Sequence, residues 1–238
     1  GLCNTPATFE RLMEKVLTGL VWHGVLVYID DIIAYGNTWE DAIMRLEQVL
    51  IRLRQANLKL KAKKCFLFRR EVEYLGHEVT GEGIRPLSSK IAALSHWAVP
   101  VNLDELRSFL GLACYYKQFV ADYSAIAAPL NALTKKNVPF LWGEAQAQAF
   151  GRLKTSLARY PCLGTIKRHG QLVVDTDACD VAIGAVLHQV QDGVERVLGY
   201  YSKSLNSAQQ NYCTTKKELL AIVATFDHWA VYLSCVSE

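Results

Sequence analysis

Phe9, Leu12, Met13, Val16 and Leu20 recur at helical spacing, which predicts a helix over residues 5–20. The period then shortens. Val25-Leu26-Val27-Tyr28 and Ile32-Ile33-Ala34-Tyr35 are β-branched, aromatic-rich runs flanking Ile29-Asp30-Asp31, and Gly36-Asn37 closes the second run. That pattern predicts a β-hairpin with two acids at its tip. Thr38 can cap the next helix, with Glu40 and Asp41 in its first turn and Ile43, Leu46, Leu50 and Leu53 as its core-facing stripe. From Leu58 to Phe66 leucine and lysine alternate, which predicts an extended strand with its lysines on one face. Residues 74–84, with glycines at 76, 81 and 83, predict a second hairpin with a glycine-rich turn.

Helical spacing returns after Arg85-Pro86. Ser88 and Ser89 can cap a helix running through Trp97, and Pro100 breaks it. Asn102 with Glu105 forms a capping-box pattern ahead of Leu106, Phe109, Leu110 and Ala113. A third helix follows Ile126, Leu130 and Leu133 to Lys135-Lys136, so residues 85–136 read as a small three-helix bundle. Then Leu172-Val173-Val174-Asp175-Thr176-Asp177-Ala178, Ala182-Ile183-Gly184-Ala185-Val186-Leu187 and residues 196–201 read as three strands, with a turn at Gln191-Asp192-Gly193 and a helix after them. Period two puts Asp175 and Asp177 on one face.

Composition adds bounds. The chain has 238 residues, 51% of them hydrophobic, enough for two cores. A net charge of +3 permits a nucleic-acid partner without demanding one. Seven scattered cysteines, none in a C-x-x-C pair, argue against a zinc site or disulfide framework and for reduced intracellular thiols. No apolar run is long enough to span a bilayer and no signal peptide is visible. The chain opens without Met and stops after an amphipathic helix pattern, so a fragment of a longer polyprotein is expected.

Three features carry candidate chemistry, each with a plainer alternative. Asp30-Asp31 is either ordinary turn chemistry or a cation site, because neighbouring carboxylates repel and a divalent ion relieves that repulsion. The lysines of 58–66 either guard a sheet edge or face phosphates. Thr215 to Glu218 is a capping-box pattern, which makes Glu218 a cap for its own helix unless a partner acid claims it. His77 reads as structural and Asp175 as a charged surface residue.

Tyr28-Ile29-Asp30-Asp31 resembles the catalytic motif of reverse transcriptases. The stretch before it, from Gly1-Leu2-Cys3-Asn4-Thr5-Pro6 through Phe9-Glu10-Arg11-Leu12-Met13, resembles the preceding palm motif of gypsy-type LTR retrotransposon polymerases. Later motifs keep the family's order: Tyr74-Leu75-Gly76-His77, then Leu106-Arg107-Ser108-Phe109-Leu110-Gly111-Leu112 with Tyr115-Tyr116, then Asp177 and Glu218. Departures are Thr5, Glu10, Cys179 and the missing arginine at Lys117 or Gln118.

The resemblance implies an α+β chain with four parts: a partial polymerase palm with a β-hairpin active site (1–84), a helical thumb (85–138), a connecting segment (139–168) and a truncated ribonuclease H-like domain (169–238). It implies RNA-directed DNA synthesis and hybrid cleavage. Asp30, Asp31, Asp177 and Glu218 would be catalytic and hold Mg²⁺ or Mn²⁺. Asn4, Pro6, Phe9 and Tyr28 would lie beside nucleotide and template, and Lys63 or Lys64 beside the leaving pyrophosphate. Leu75, Gly76 and His77 would form the primer grip. The implied partners are an RNA template, a DNA primer, an RNA/DNA hybrid and dNTPs, with no membrane partner. The oligomeric state stays open, as does location in a cytoplasmic particle or the nucleus. The family's remaining metal-binding aspartates have no counterpart here, so both sites are expected to be incomplete and this chain alone is expected to do little. The rival readings are a relic that binds nucleic acid without catalysis and an inactive structural product.

Overall fold

Pro6 lies in the first turn of α1 (Thr5–Val16), where its missing N–H is no loss, and Lys15 lies in the last turn, where the helix dipole favours a cation. The computed structural model describes residues 4–234. Gly1, Leu2 and Cys3 of the opening motif, and Cys235 and the terminal Ser237-Glu238, fall outside the described residues. The helix ends four residues sooner than the spacing predicts. Gly19, at φ +83°, turns the chain, and Leu20 reaches the core from that turn instead of from the helix.

The chain divides into two compact units between Tyr74 and Leu75. In the first, β1 (Val25–Tyr28) pairs antiparallel with β2 (Asp31–Ala34), from Val25 opposite Ala34 to Tyr28 opposite Asp31. Met13, Leu17, Leu20 and Val25 form the core with Val49 and Leu53 of α2 (Trp39–Gln55). Thr38 caps α2 as expected, its Oγ1 accepting from Asp41 N–H at 3.2 Å. The stripe of α2 needs correction. Leu53 is buried, but Ile43 and Leu50 are exposed and Val49 takes their place. The helix carries apolar residues on more than one face, so periodicity alone does not choose the buried one.

The strand expected over residues 58–66 does not form. Leu58 tucks against the core, and Ala62–Lys64 make a single 3₁₀ turn, with Lys64 N–H on Lys61 O at 2.8 Å. Alternating lysines need a ladder neighbour to become a strand, and the sheet of β1 and β2 has only two members. β3 (Glu71–Tyr74) closes the unit.

The second unit starts from β4 (His77–Thr80) and β5 (Ile84–Pro86), an antiparallel pair joined through Thr80 and Gly83, as expected. Four helices follow: α3 (Ser88–Ser95), α4 (Leu103–Tyr115), α5 (Tyr123–Leu133) and α6 (Glu144–Ala158). α3 ends at Ser95, two residues before Trp97, and Leu87 occupies its cap position; Ser88 is already inside the helix and no serine caps it. Asn102 does cap α4, its Oδ1 accepting from Glu105 N–H at 2.9 Å, while Glu105 reaches back to Val101 N–H. Leu106, Phe109, Leu110 and Ala113 are buried, as their spacing requires. The bundle has a fourth member: Ala149, Phe150, Leu153 and Leu157 of α6 enter the same core, and the Phe109 and Phe150 rings sit 4.6 Å apart. Each of the phenylalanine and leucine side chains contributes about 1.5–3 kcal/mol by leaving water.

The meander is β6 (Leu172–Ala178), β7 (Ala182–Gln191) and β8 (Val194–Ser204), in that spatial order. A short turn, α7 (Ser207–Gln210), leads to α8 (Thr214–His228) and α9 (Ala230–Ser234). Ala221 of α8 packs on Ile183, with Ala178 at the edge of the same cluster. Backbone and side-chain bonds tie the meander to the bundle. Ile84 and Leu163 exchange two backbone hydrogen bonds at 2.8 and 2.9 Å, Gly164 N–H reaches Val197 O, and Ser124 N–H reaches Ser202 Oγ at 2.6 Å in a buried position. Val197 and Tyr200 of β8 pack on the bundle core.

Gly83 is what allows the Ile84–Leu163 exchange. It sits at φ +149°, and a Cβ there would stand 2.0 Å from Leu163 O. Gly83→Ala should therefore lower stability by about 3 kcal/mol in urea unfolding. Gly81→Ala, which meets nothing within 4 Å, should change it by less than about 0.5 kcal/mol. Equal effects from the two would show that the close approach is wrong.

Candidate active sites

Four ladder pairs bring β1 and β2 together and leave only Ile29 and Asp30 to make the turn. Ile29 pays for that tightness in strain, at φ +54°, a region that β-branched residues avoid at about 1–3 kcal/mol. Asp30 and Asp31 are both exposed and stand next to each other at the tip. Tyr28, the last residue of β1, is also exposed. The Tyr74 hydroxyl is held above its ordinary range, first by burial and second by the Asp31 carboxylate, which places the Asp31 charge within reach of β3. The tip therefore offers two hard oxygen donors to solvent. That donor chemistry suits Mg²⁺, which takes one or two carboxylates and completes its shell with substrate phosphates and water.

Of the other nucleotide-side candidates, Asn4 precedes α1 without using its side chain as a cap, and Pro6 lies in the first turn. Phe9 packs against the core, so it is partly committed to holding the helix. Lys63 and Lys64 are exposed on the 3₁₀ turn, not on a strand face.

The expected primer grip is a tight turn. Leu75 and Gly76 have φ of +48° and +69°. The Tyr115 hydroxyl donates to Leu75 O, and the Tyr116 hydroxyl to Gly76 O at 2.7 Å. His77 packs among Tyr115, Tyr116 and Phe119, donates from Nδ1 to Leu75 O at 2.8 Å, and leaves Nε2 to accept from Gln118 at 3.3 Å. The two tyrosines and Gln118 are holding groups that sequence reasoning missed. For Tyr116 the available signal was chemical: a buried tyrosine hydroxyl needs a partner.

In the second unit, Asp177 is exposed near the end of β6, opposite Gly184 of β7. Glu218 is exposed on α8. The capping-box alternative for Glu218 fails, because Cys213 holds the cap position and Thr215 is already the second helical residue. Lys217, almost fully buried, reaches Asp180 Oδ1 at 2.7 Å and pins the start of α8 to the β6–β7 turn. That hydrogen bond and charge hold the Asp180 carboxyl below the usual range. Asp175 is the surface residue expected, paired to His188 Nε2 at 3.1 Å. Cys179 donates its thiol to Ala182 O at 3.3 Å. A further carboxylate was not foreseen: a Cβ on Gly184 would stand 2.7 Å from Asp122 Oδ1, so the residue before α5 brings its acid to the strand pair that carries Asp177. Asp30 and Asp31 thus lie in one unit and Asp177 and Glu218 in the other. Among the described residues no three His, Cys, Asp or Glu side chains gather in a metal-binding group.

Comparison with known proteins follows this division. Residues 1–79 match the family described as "Reverse transcriptase (RNA-dependent DNA polymerase)", and residues 142–237 match the "RNase H-like domain found in reverse transcriptase". The chain is 36% identical to the Retrovirus-related Pol polyprotein from transposon opus of Drosophila melanogaster, over 98% of the chain and 24% of that protein. It is 34% identical to the Transposon Tf2-3 polyprotein of Schizosaccharomyces pombe, over 100% of the chain and 18% of that protein. It therefore spans a quarter or less of the length of these relatives. Among solved structures, the foamy viral protease-reverse transcriptase in complex with dsDNA superposes with a TM-score of 0.84 at 25% identity, covering 99% of this chain and 49% of that one. The same viral protein in complex with RNA/DNA hybrid gives 0.83 at 24% identity, covering 97% and 31%. The mixed α and β architecture expected from sequence is the fold observed.

Two substitutions check these assignments. Tyr116→Phe strips Gly76 O of its donor and should cost about 1 kcal/mol in denaturant unfolding; no change would mean that the tyrosine does not hold the turn. Thr215→Ala should change stability by less than about 0.5 kcal/mol, whereas a loss near 1 kcal/mol would restore the cap reading.

Proposed function

Because this chain belongs to the reverse transcriptase and RNase H-like families of transposon Pol polyproteins, we propose that it contributes the Asp30–Asp31 catalytic hairpin, the primer grip and part of a ribonuclease H site to an RNA-directed DNA polymerase. The observation that carries the proposal is the tip itself. Two adjacent exposed carboxylates are held in a two-residue turn whose first residue, Ile29, is forced to φ +54°. A turn under strain that presents paired charge reads as a site more readily than as a plain connection.

Asp30 and Asp31 would hold a divalent ion, Mg²⁺ or Mn²⁺, and such an ion supplies charge neutralisation to the transferring phosphoryl group. The chain's own residues do the positioning. Leu75 and Gly76, locked by Tyr115 and Tyr116, would present a fixed backbone to the primer terminus. Lys63 or Lys64 offers a cation to the leaving pyrophosphate. Asn4, Pro6, Phe9 and Tyr28 would line the nucleotide and template side. In the second unit Asp177 and Glu218 would serve hybrid cleavage, with Lys217 and Asp180 keeping α8 in place beside β6. The partners on this reading are an RNA template, a DNA primer, their hybrid and dNTPs. The four-part division into palm, thumb, connecting segment and ribonuclease H-like domain belongs to the same proposal.

The test is primer extension on a homopolymer RNA template with Mg²⁺, by a Pol polyprotein that carries this sequence. Asp30→Asn with Asp31→Asn should lower synthesis by about a thousandfold. Undiminished cDNA yield from that double variant would sink the proposal.

A further inference from the structure

Within the second unit, α4 and α5 leave a cleft of about 470 Å³ between them, with Ser204 at the end of β8 in its lining. The α4 wall runs from Arg107 to Cys114. Tyr123 and Ser124 contribute from α5, and Lys117 lies on the short turn between the two helices.

Two hydroxyls in this cleft lack partners. Tyr123 is 5% exposed, and its hydroxyl finds no hydrogen-bond partner among the described residues. The equally deep Tyr116 hydroxyl, by contrast, is taken by Gly76 O. Ser124 is 8% exposed; its backbone N–H reaches Ser202 Oγ, but its own hydroxyl bonds nothing among the described residues. Buried polar groups are nearly always satisfied, so two unsatisfied hydroxyls facing one cleft call for a ligand. Burial first and Cys114 second push the Tyr123 hydroxyl above its ordinary range, which keeps it a protonated donor.

The charge of the lining has one sign. Arg107 and Lys117 are its only charged residues. Arg107 meets Asp104 at 3.6 Å on an exposed turn, and Lys117 is in no ion pair among the described residues. Asp122, next to Tyr123, carries its carboxylate to Gly184 instead. His228 is held below its ordinary range by burial first and by the Lys117 charge second, so the field of that ammonium is felt as far as α8.

We propose that the cleft between α4 and α5 binds a small organic phosphate, a phosphate monoester. Tyr123 and Ser124 donate to the phosphate oxygens, Lys117 and Arg107 balance their charge, and Leu110 meets the organic part. Depth selects the monoester. Both hydroxyls are more than nine-tenths buried, so a terminal phosphate group reaches them, whereas an internal phosphodiester is held off by the groups on either side of it. No acid of either candidate active site takes part, so the proposal stands independently of the catalytic reading.

The experiment is isothermal titration of this chain with phenyl phosphate, in phosphate-free buffer with EDTA. Saturable binding at one site is expected, and dimethyl phosphate, a diester, should not bind. Tyr123→Phe should weaken phenyl phosphate binding by about tenfold, and Lys117→Gln by a similar factor. The same Tyr123→Phe variant should keep the parental midpoint in urea, because its hydroxyl has no internal partner to lose. The proposal is overturned by an absence of saturable binding, by equal affinity of Tyr123→Phe and the parent, or by a lowered urea midpoint, which would reveal a partner inside the protein. A short RNA/DNA hybrid whose affinity falls tenfold with Tyr123→Phe would also overturn it, by making the cleft part of a nucleic-acid track. Failure of primer extension would remove the catalytic reading and leave this one standing.

Discussion

Like charges on adjacent residues repel, and a relaxed chain would swing Asp30 and Asp31 apart. The ladder between β1 and β2 denies that freedom. With Tyr28 opposite Asp31, only two residues make the turn, and the strain settles on Ile29. The core of Met13, Leu17, Val25, Val49 and Leu53 keeps the ladder from slipping, because a one-residue shift would turn Val25 out to solvent. The acidic tip is therefore a property of the whole first unit, not of four letters of sequence.

The second unit is built on a comparable economy. Two tyrosine hydroxyls at the end of α4 take the carbonyls of Leu75 and Gly76, so the turn before β4 has no need of a longer loop to satisfy its backbone. A buried glutamine plays a similar part further along. Gln189 is fully buried, yet its amide bonds Lys167 through both N–H and C=O at 2.8 Å and meets Gln191, which lashes the strap before β6 to the end of β7. Polar groups placed inside are affordable where every donor finds an acceptor.

Elements with one clear apolar face were legible from sequence. The hairpin at Asp30-Asp31, α4 with its Asn102 cap, and the meander of β6, β7 and β8 all form where period and turn residues placed them. Three of the readings that failed did so for distinct reasons. Residues 58–66 alternate like a strand but have no ladder partner, which is a tertiary fact. α2 carries apolar residues around more than one face, so the buried side follows from its neighbours. Thr215 looks like a cap, but the helix begins two residues too early for it. Of the site, the acids were legible and their supports were not. Tyr115, Tyr116, Lys217 and Asp122 act across 37 or more residues of chain, beyond the reach of any local pattern.

The exchange between Ile84 and Leu163 has a consequence for synthesis. β5 gains that partner only after about eighty further residues have been made. At ribosomal speeds of about 5–20 residues per second, several seconds pass before the second unit can close. During that interval the nascent chain carries an open strand edge and a half-assembled helical bundle, whereas the Asp30–Asp31 hairpin already has its ladder and its core partners Met13, Val49 and Leu53 in hand and is free to fold.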